Sequence, residues 1–405
     1  MASQSLFSTL LAIIIVTCCT RHANAAEQEP LIHRPCSISR MARYDLARSQ
    51  ERIHFSINPR DDFEAPSVVP LNATTGEQWE FDGISEDGMQ AFMFGFYRDP
   101  SFSIFGSGNL RFYLEFSYAN GSRHAAVEYA EESIVESCPG KATRGTWRGD
   151  DWSFEFEVSA DMSRAEITMD SPEEKGIITM TSVAPPRYAD NSVWPSSDAA
   201  SEAVPYFHWV EPIPVAEASI DAAVLGDRIA WTGMGGHERL WGAFNWFTCV
   251  ASMTAVRIRA GPFALSLVQF RSNIRKDLVL SSVLLAKDGE KILGTRLDEP
   301  STTDDYLQFR KLYDGPGTTT QLLADKATGF ELSLISLRRN ESWAFIVTHL
   351  NIGFEYPFGG GFGSTGYSGT AMGGETDGEP WKGPAYTEIM SFPKTSMLFS
   401  RNFIE

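Results

Sequence analysis

Alternation of apolar and polar residues is the feature of this sequence that most limits how the chain can fold. In the segment 152–158, WSFEFEV, aromatic and apolar side chains occupy alternate positions and polar side chains fill the positions between them. Successive side chains of a β-strand point to opposite faces, so this period of two indicates a half-buried strand. The pattern recurs, with more irregularity, at 109–118, 165–170, 176–183 and 330–337. The sequence therefore predicts a largely β protein.

Short turn motifs join several of these segments. Asp288-Gly289 lies between two apolar runs, and an Asp-Gly turn of this kind needs positive φ at both central residues, which is typical of antiparallel hairpins. Similar motifs occur at 225–228, 260–262 and 339–342. The best helix candidate, Ser37 to Arg52, has weak apolar spacing, so we predict few, short helices in an all-β, mostly antiparallel fold.

The segment Gly359 to Gly378 has an unusual composition, with nine glycines in twenty residues. Such a stretch predicts a mobile loop or lid near the end of the chain.

The length of 405 residues favours two domains over one. Prolines and serines gather at 184–214, and such prolines are excluded from central strands. We therefore predict a signal peptide at 1–25, a first β domain at 26–213 and a second at 214–405.

The first 25 residues have the pattern of a secretory signal. The apolar run Leu10 to Val16 is too short to span a bilayer, and small residues follow it up to Ala23-Asn24-Ala25. No later segment has 18 consecutive apolar residues, so we expect no membrane span and a secreted protein or one in the lumen of the secretory pathway. Three sequons fit that route and predict glycosylation at Asn72, Asn120 and Asn340.

Cysteine placement predicts one disulfide. Loss of the signal would leave three cysteines, of which Cys36 and Cys138 have polar, proline-containing neighbours, whereas Cys249 follows an apolar run. In an oxidising compartment we therefore expect a Cys36–Cys138 bridge and a buried, free Cys249.

Charge and motifs exclude several function classes. A formal charge of −18 argues against nucleic acid, whose binding requires basic patches. The segment 361–366, GFGSTG, matches a dinucleotide fingerprint but cannot be followed by the required helix, and 237–241, HERLW, lacks the second histidine of a zinc-protease helix. There is no Gly-x-Ser-x-Gly motif. We expect no cofactor and no metal site.

The segment 231–247, WTGMGGHERLWGAFNWF, combines three tryptophans with polar residues. Packing in the core explains such tryptophans, but their alternation with polar groups is also typical of a deep apolar pocket. His237 is open to the same two interpretations: it is either a structural histidine or, with Glu238 and Arg239 beside it, a general acid.

Four blocks of sequence carry a resemblance to a known family. Residues 78–88, QWEFDGISEDG, and 96–102, FYRDPSF, resemble a Trp-x-Phe-Asp-Gly strand and a Tyr/Phe-Arg-Asp-Pro turn of that family. Residues 208–214, HWVEPIP, and 233–242, GMGGHERLWG, resemble its domain junction and its Gly-Gly-His-Glu/Asp-Arg-Asn-Trp-Gly segment. The family is that of the two-domain, lipocalin-like fungal Diels–Alderases, which are related to bacterial carotenoid hydratases. Leu240 stands where that family usually has asparagine, so a polar role is not expected there.

This resemblance implies a β-sandwich followed by a lipocalin-like barrel, with an apolar pocket at or near their interface. It also implies a cofactor-independent pericyclase of fungal secondary metabolism, which holds a diene and a dienophile in one reactive geometry and activates them by hydrogen bonds. The signal and sequons resemble those of secreted hetero-Diels–Alderases that join a tropolone-derived quinone methide to a humulene-type sesquiterpene. Forming the quinone methide requires loss of water, and therefore an acid.

We accordingly predict an enzyme with small hydrophobic substrates, a polyene or terpenoid and a dienophile or quinone methide; its oligomeric state is open. The predicted catalytic residues are His237, Asp82 and Arg239, and the predicted substrate-binding residues are Trp79, Trp209, Trp241, Asn245, Trp246 and Tyr356. Two alternatives stay open: a terpenoid hydratase or isomerase, and a non-catalytic carrier that holds a hydrophobic metabolite in its barrel.

Overall fold

The computed structural model describes residues 36–48, 50–100 and 107–393. The predicted signal peptide at 1–25 lies outside the described residues, as do Ser101 and Phe102 of one resemblance block. Within those ranges the chain is almost entirely β, as predicted: it forms twenty-five strands and one single-turn helix.

The elements follow one another along the chain in this order: β1 Ser37–Ala42, β2 His54–Phe55, β3 Val68–Val69, β4 Gly76–Ser85, β5 Ala91–Arg98, β6 Leu110–Ser117, β7 Arg123–Tyr129, β8 Glu132–Ser137, β9 Thr143–Arg148, β10 Ser153–Val158, β11 Arg164–Asp170, β12 Glu174–Ser182, β13 Arg187–Tyr188, β14 Glu202–Val204, β15 Phe207–Val224, β16 Asp227–Gly242, α1 Trp246–Cys249, β17 Val250–Ala260, β18 Phe263–Ser272, β19 Val279–Lys287, β20 Glu290–Thr295, β21 Tyr306–Leu312, β22 Gly329–Ser336, β23 Glu341–Gly359, β24 Phe362–Glu375 and β25 Trp381–Ser391.

One long antiparallel sheet builds the first half of the molecule. Its strands follow the order β1-β8-β9-β10-β11-β12-β15-β16-β4-β5-β6-β7, and β13 and β14 pair with β15. The sheet folds back on itself, because Trp79 of β4 and Phe96 of β5 pack on Trp147 of β9, with ring centroids 5.5 and 5.3 Å apart. The sandwich expected from the resemblance is thus made by one sheet whose two ends share an aromatic core.

A second antiparallel sheet, in the order β20-β19-β18-β17-β25-β24-β23-β22-β21, curves into a barrel. Its two edge strands approach each other after β20, where Thr295 donates a side-chain hydrogen bond to the carbonyl of Asp305. The barrel interior is filled by its own side chains, among them Phe330, Trp343 and Tyr367, which are fully buried. The lipocalin-like barrel is confirmed, and its interior is a packed core.

The chain changes from the first sheet to the second between Gly242 and Val250, through α1. Strand β15 runs unbroken through residue 213, where we expected the domain boundary, and both β15 and β16 belong to the first sheet. The prolines at 212 and 214 coincide with irregular pairing between β15 and β16, so they loosen the ladder without ending the strand. By sheet membership, the change therefore lies some thirty residues after the predicted boundary at 213.

Two local predictions are wrong. The candidate helix 37–52 begins as strand β1, which pairs antiparallel with β8, because tertiary pairing overrides its weak helical spacing. The glycine-rich stretch is strand β24, preceded by a turn in which Gly359, Gly360 and Gly361 all have positive φ. Several of its glycines are there because an added Cβ would strike the neighbouring backbone; at Gly369 it would lie 2.0 Å from the carbonyl oxygen of Thr348.

Other expectations about the chain hold. Cys36 and Cys138 are joined by a disulfide, and Cys249 is free and buried. The Asp288-Gly289 hairpin has positive φ at both residues, as predicted. Within the described part of the chain, no helix has the length and apolar character needed to cross a membrane. Asn120 and Asn340 are exposed in turns and Asn72 is half-buried; glycosylation of these residues stays a prediction.

Candidate active site

A cavity lies between the first sheet and the outer face of the barrel. On the first sheet it is bounded by β4, β5 and β6, and on the barrel by β23, β24 and β25, with α1 at one side. The empty space, including its opening to solvent, is about 560 Å³. Its lining consists of Gln78, Glu80, Met93, Tyr97, Arg111, Tyr113, Trp246, Phe354, Tyr356, Phe358, Ser364, Glu388, Met390 and Phe392.

Strand alternation explains why polar side chains reach this cavity. Strands β4, β5 and β6 are buried on both faces, so each has one face in the aromatic core of the first sheet and the other towards the barrel. In β4, Trp79 and Phe81 join the core, whereas Gln78 and Glu80 line the cavity. The same division places Tyr97 of β5 on the cavity side.

Glu80 is the centre of the polar part of the cavity. Its Oε1 accepts hydrogen bonds from the Tyr97 hydroxyl, at 2.8 Å, and from the Gln78 amide, at 2.6 Å. Burial, and then the neighbouring carboxyls of Glu238 and Glu388, raise the pKa of Glu80 well above its usual value. Burial thus favours the protonated form of Glu80, which can donate a hydrogen bond.

A glycine makes the contact between Tyr97 and Glu80 geometrically feasible. Gly95 pairs with Glu80 across β4 and β5, and a Cβ at position 95 would lie 2.2 Å from Tyr97 Cε2. The Tyr97 ring thus lies against the backbone of Gly95, which brings its hydroxyl to Glu80. Burial and the adjacent Glu80 raise the pKa of Tyr97 well above its usual value, so the hydroxyl stays a donor. On the other side of the ring, the Arg111 guanidinium carbon lies 3.9 Å from the ring centroid.

A second carboxyl faces the cavity from the barrel. Glu388 of β25 accepts hydrogen bonds from the Ser364 hydroxyl, at 2.5 Å, and from the Tyr386 hydroxyl, at 3.2 Å. Burial raises the pKa of Glu388 to about 7, against the lowering effect of those two donors. This group can release or accept a proton near neutrality.

Aromatic side chains form the apolar part. Alternate residues of β23 present Phe354, Tyr356 and Phe358 to the cavity, and Phe392 follows β25 on the same side. Trp246 of α1 completes the lining. Two of the predicted substrate-binding residues, Trp246 and Tyr356, thus line the cavity.

His237 and Arg239 lie on the opposite face of β16 from Glu238, within the core of the first sheet. The His237 ring stacks on Phe81 at 3.9 Å, with Nδ1 2.8 Å from the carbonyl oxygen of Glu80 and Nε2 3.0 Å from a carboxylate oxygen of Glu64. The Arg239 guanidinium carbon lies 3.8 Å from the Trp79 ring centroid. Both side chains are fully buried away from the cavity, so the odd positions of β16 have structural contacts where we expected catalytic ones.

The other predicted residues also have contacts outside the cavity. The indole nitrogens of Trp79 and Trp241 donate to backbone carbonyls of Glu64 and Ser56. Asp82 forms an ion pair with Arg257 between the sheets, Trp209 donates to Glu238, and Asn245 accepts from Thr248 as the N-cap of α1. None of these five side chains is among the residues that line the cavity.

The cavity residues that sequence reasoning missed include Gln78, Glu80, Tyr97, Arg111, Tyr113 and Glu388. A signal was present, because these polar residues fall at alternate positions within otherwise apolar, aromatic strands. Such alternation predicts a strand with one face towards solvent, although a strand covered by sheets on both sides can show the same pattern.

Comparison with known proteins identifies the family. The family model described as Diels-Alderase-like matches residues 33–393. The Diels-Alderase cheD of Chaetomium globosum is 48% identical over 370 residues, which cover 91% of this chain and 87% of the relative. The Diels-Alderase phmD of Phaeosphaeria nodorum is 48% identical over 360 residues, which cover 89% of this chain and all of the relative, 100%.

A solved structure supports the fold independently. The crystal structure of CghA superposes with a TM-score of 0.77 at 24% sequence identity, and the match covers 88% of this chain and 99% of that one. The chain therefore belongs to the Diels-Alderase-like family and is an enzyme of the Diels–Alderase class.

Proposed function

We propose that this cavity accelerates a Diels–Alder or hetero-Diels–Alder cycloaddition, with Glu80 as hydrogen-bond donor to the carbonyl of the dienophile. The observation that carries the proposal is the position of the Glu80 carboxyl, which lines the cavity while its Oε1 accepts hydrogen bonds from Tyr97 and Gln78. Burial raises the pKa of Glu80 and so favours the protonated form, which can donate. Three relatives that are 46–48% identical to this chain are named Diels-Alderases, which agrees with this activity.

The chemistry needs little from the protein beyond geometry and polarisation. In the cycloaddition two σ bonds form as π bonds are consumed, and no proton, electron or leaving group is exchanged. A hydrogen bond to the dienophile carbonyl withdraws electron density and lowers the energy of its acceptor orbital, and the effect is larger in a water-poor cavity. The rings of Phe354, Tyr356 and Phe392 restrict the diene to few conformers, which removes part of the entropic barrier.

Two substitutions at one position test the role of Glu80. Glu80→Ala removes the donor, and we expect a fall in kcat of about 100-fold, the loss typical of a hydrogen-bond donor to a transition-state oxygen. Glu80→Gln keeps an N–H donor and an oxygen that accepts from Tyr97, so its loss should be about 10-fold or smaller. Rates are measured against the uncatalysed reaction. The control is Glu157→Gln, because Glu157 is an exposed residue of β10. Unchanged rate and product ratio in Glu80→Ala would contradict the proposal.

For the substrates, we propose the narrower pair implied by the sequence resemblance: a tropolone-derived quinone methide and a humulene-type sesquiterpene. Glu388 supports this pair, because a carboxyl with a pKa of about 7 beside the cavity can assist the required dehydration. Its proton would pass to the leaving hydroxyl, which departs as water, and the proton of the ring hydroxyl would return to the carboxylate.

Incubation with a hydroxymethyl tropolone and humulenol tests this pair. We expect a product ratio different from that of the buffer control, and a slower dehydration with Glu388→Gln. If the ratio equals the control, the substrate pair is wrong, whereas the Glu80 proposal is tested separately with a substrate on which the enzyme is active.

A further inference from the structure

Arg111 contacts both walls of the cavity. It lies on β6, it is buried, and its guanidinium reaches an aromatic ring of each wall. The guanidinium carbon lies 3.9 Å from the ring centroid of Tyr97, on the first sheet, and 5.7 Å from that of Tyr356, on the barrel. Its Nη1 also donates a hydrogen bond to the Tyr356 hydroxyl at 3.4 Å. One side chain therefore connects two lining tyrosines that come from different sheets.

Strand register brings Arg111 to Tyr97. Gln78, Tyr97 and Arg111 lie directly opposite one another in β4, β5 and β6, and all three side chains share the face towards the barrel. This row places the guanidinium on one side of the Tyr97 ring, whose other side lies against the backbone of Gly95. The ring is thus enclosed on both sides while its hydroxyl donates to Glu80 Oε1.

The chemistry of a guanidinium suits this position. A guanidinium packs flat on an aromatic ring and still directs N–H groups outwards in its plane, whereas an ammonium is a compact point charge. Here the guanidinium lies over the ring of Tyr97, and one N–H group reaches the hydroxyl of Tyr356. The position of the Tyr97 ring therefore depends on both the charge and the shape of the side chain at 111, and Tyr356 limits how far that side chain can move.

Contacts beside the cavity hold β23 on the first sheet without Arg111. The carboxylate of Glu355, the neighbour of Tyr356, pairs with Arg123 at 3.1 Å, and the Glu355 backbone N–H donates to Glu115 Oε2 at 3.3 Å. Glu355, Arg123 and Glu115 are not among the residues that line the cavity. Loss of the Arg111 contacts should therefore release the two tyrosine rings without separating the two sheets.

We propose that Arg111 is a positioning residue, which holds the Tyr97 ring so that its hydroxyl stays on Glu80. Tyr356 of the barrel fixes the guanidinium from the opposite wall. The inference rests on the proposed function, in which Glu80 donates a hydrogen bond to the dienophile carbonyl. Arg111 acts through Tyr97, because a donor that is fixed on Oε1 also fixes the orientation of the Glu80 carboxyl. The geometry of the hydrogen-bonding group on the first sheet thereby depends on a side chain of the barrel.

Substitutions of Arg111 test this role by kinetics. In Arg111→Gln, which removes the guanidinium, we expect kcat to fall by about 10-fold with KM changed less. Arg111→Lys keeps the charge without the planar group, so its loss of kcat should be similar. In a Tyr97→Phe background, Arg111→Gln should lower kcat by less than about twofold, because the hydroxyl that Arg111 positions is already absent. The inference is overturned by an equal loss of kcat in that background, or by a rise in KM with unchanged kcat, which would identify Arg111 as a substrate ligand.

Chemical rescue separates a missing guanidinium from a general loss of packing. In Arg111→Ala, added guanidinium ion at a non-denaturing concentration should restore part of kcat, whereas methylammonium, which resembles the head group of lysine, should not. Equal effects of the two ions would overturn the inference. The matched control is Arg123→Gln, which also removes an arginine contact between β23 and the first sheet but lies outside the cavity. It should keep the kcat and KM of the unmodified protein.

A variant of Tyr356 covers the case in which the Arg111 variants do not fold. Tyr356→Phe keeps the ring and removes only the oxygen that accepts from Arg111, so kcat should fall by about threefold with KM changed less. An unchanged kcat would overturn the inference. Failure of the proposed function gives a different result. If Glu80→Ala keeps the rate of the unmodified protein, the proposed function is wrong; if Glu80→Ala is slow and Arg111→Gln is not, only the role of Arg111 is wrong.

Discussion

At the scale of single residues, the structure separates residues that hold the core together from residues that can act on a ligand. His237 was the most conspicuous polar residue of the sequence, yet both ring nitrogens have partners and the ring is stacked on Phe81. Glu80 was inconspicuous because it sits in an ordinary alternating strand. The role proposed for it rests on Tyr97 and Gln78, both of which donate hydrogen bonds to its Oε1.

Replacing His237 should therefore lower the free energy of unfolding and leave the activity of the folded protein largely unchanged. His237→Ala leaves the buried Glu64 carboxylate without its partner and opens a void beside Phe81, for which we expect a loss of about 3 kcal/mol in the free energy of unfolding. Urea unfolding measures this loss. The same substitution made in a Glu64→Gln background gives the interaction free energy between His237 and Glu64. Activity at temperatures where the variant stays folded should be largely retained; a selective loss of activity with unchanged stability would restore His237 as a catalytic group.

At the scale of elements, alternation predicted the strands well, because period two is a local property of the chain. Strand β10 falls at Ser153–Val158, within the segment that showed the pattern most clearly. Alternation could not show what packs against each face of a strand, because that depends on the fold of the whole sheet. The same limit explains β24: its glycines were interpreted as flexibility, whereas they permit close contact with β23 and β25.

Strand β5 offers a test of this kind of close contact. Gly95→Ala places a methyl group where the Tyr97 ring lies, so the ring must move away from Glu80. We expect kcat to fall by about 10-fold with KM changed less, because the hydrogen bond to Glu80 is lost while the rest of the lining remains. Gly378→Ala, whose added Cβ would meet nothing closer than 3.4 Å, serves as control. Equal effects of the two substitutions would refute the role of Gly95.

The disulfide ties strand β1 to the turn after β8. It closes a loop with a sequence separation of 102, so its removal enlarges the unfolded ensemble considerably. We expect the double substitution Cys36→Ser and Cys138→Ser to lower the free energy of unfolding by about 2–4 kcal/mol. Mass mapping of the unmodified protein should show Cys249 unpaired, and a disulfide to Cys249 would contradict the structure.

At the scale of the whole molecule, the buried acids and the buried histidines act on stability at different pH. Burial raises the pKa of Glu388 to about 7 and that of Glu238 to about 8, so the folded state binds protons that the unfolded state releases above pH 4.5. Stability from these acids is lost as pH rises through those values. Burial lowers the pKa of His208 and His349 to about 4, so their contribution is lost as pH falls below 6.5.

Between pH 6.5 and pH 8 the buried acids set the slope. We expect Glu388 and Glu238 together to lower the free energy of unfolding by about 2 kcal/mol over this range, at roughly 1.4 kcal/mol per proton and pH unit, and Glu80, whose pKa is also raised, to add to that fall. Urea unfolding at several pH values measures this fall. Glu238→Gln and Glu388→Gln should each make the fall with pH less steep. If both variants keep the slope of the unmodified protein, other groups are responsible for it.

The division of β4 into two faces has a consequence for how this enzyme can diverge. Its even positions, 78 and 80, line the cavity, and its odd positions, 79 and 81, hold the aromatic core. Substitutions at positions 78 and 80 can therefore change substrate preference without altering the aromatic core of the first sheet. A one-residue insertion or deletion in this strand exchanges the two sets at once. In a library of functional variants, tolerated substitutions in β4 should therefore fall mainly at positions 78 and 80. Insertions and deletions in this strand should be absent from the library.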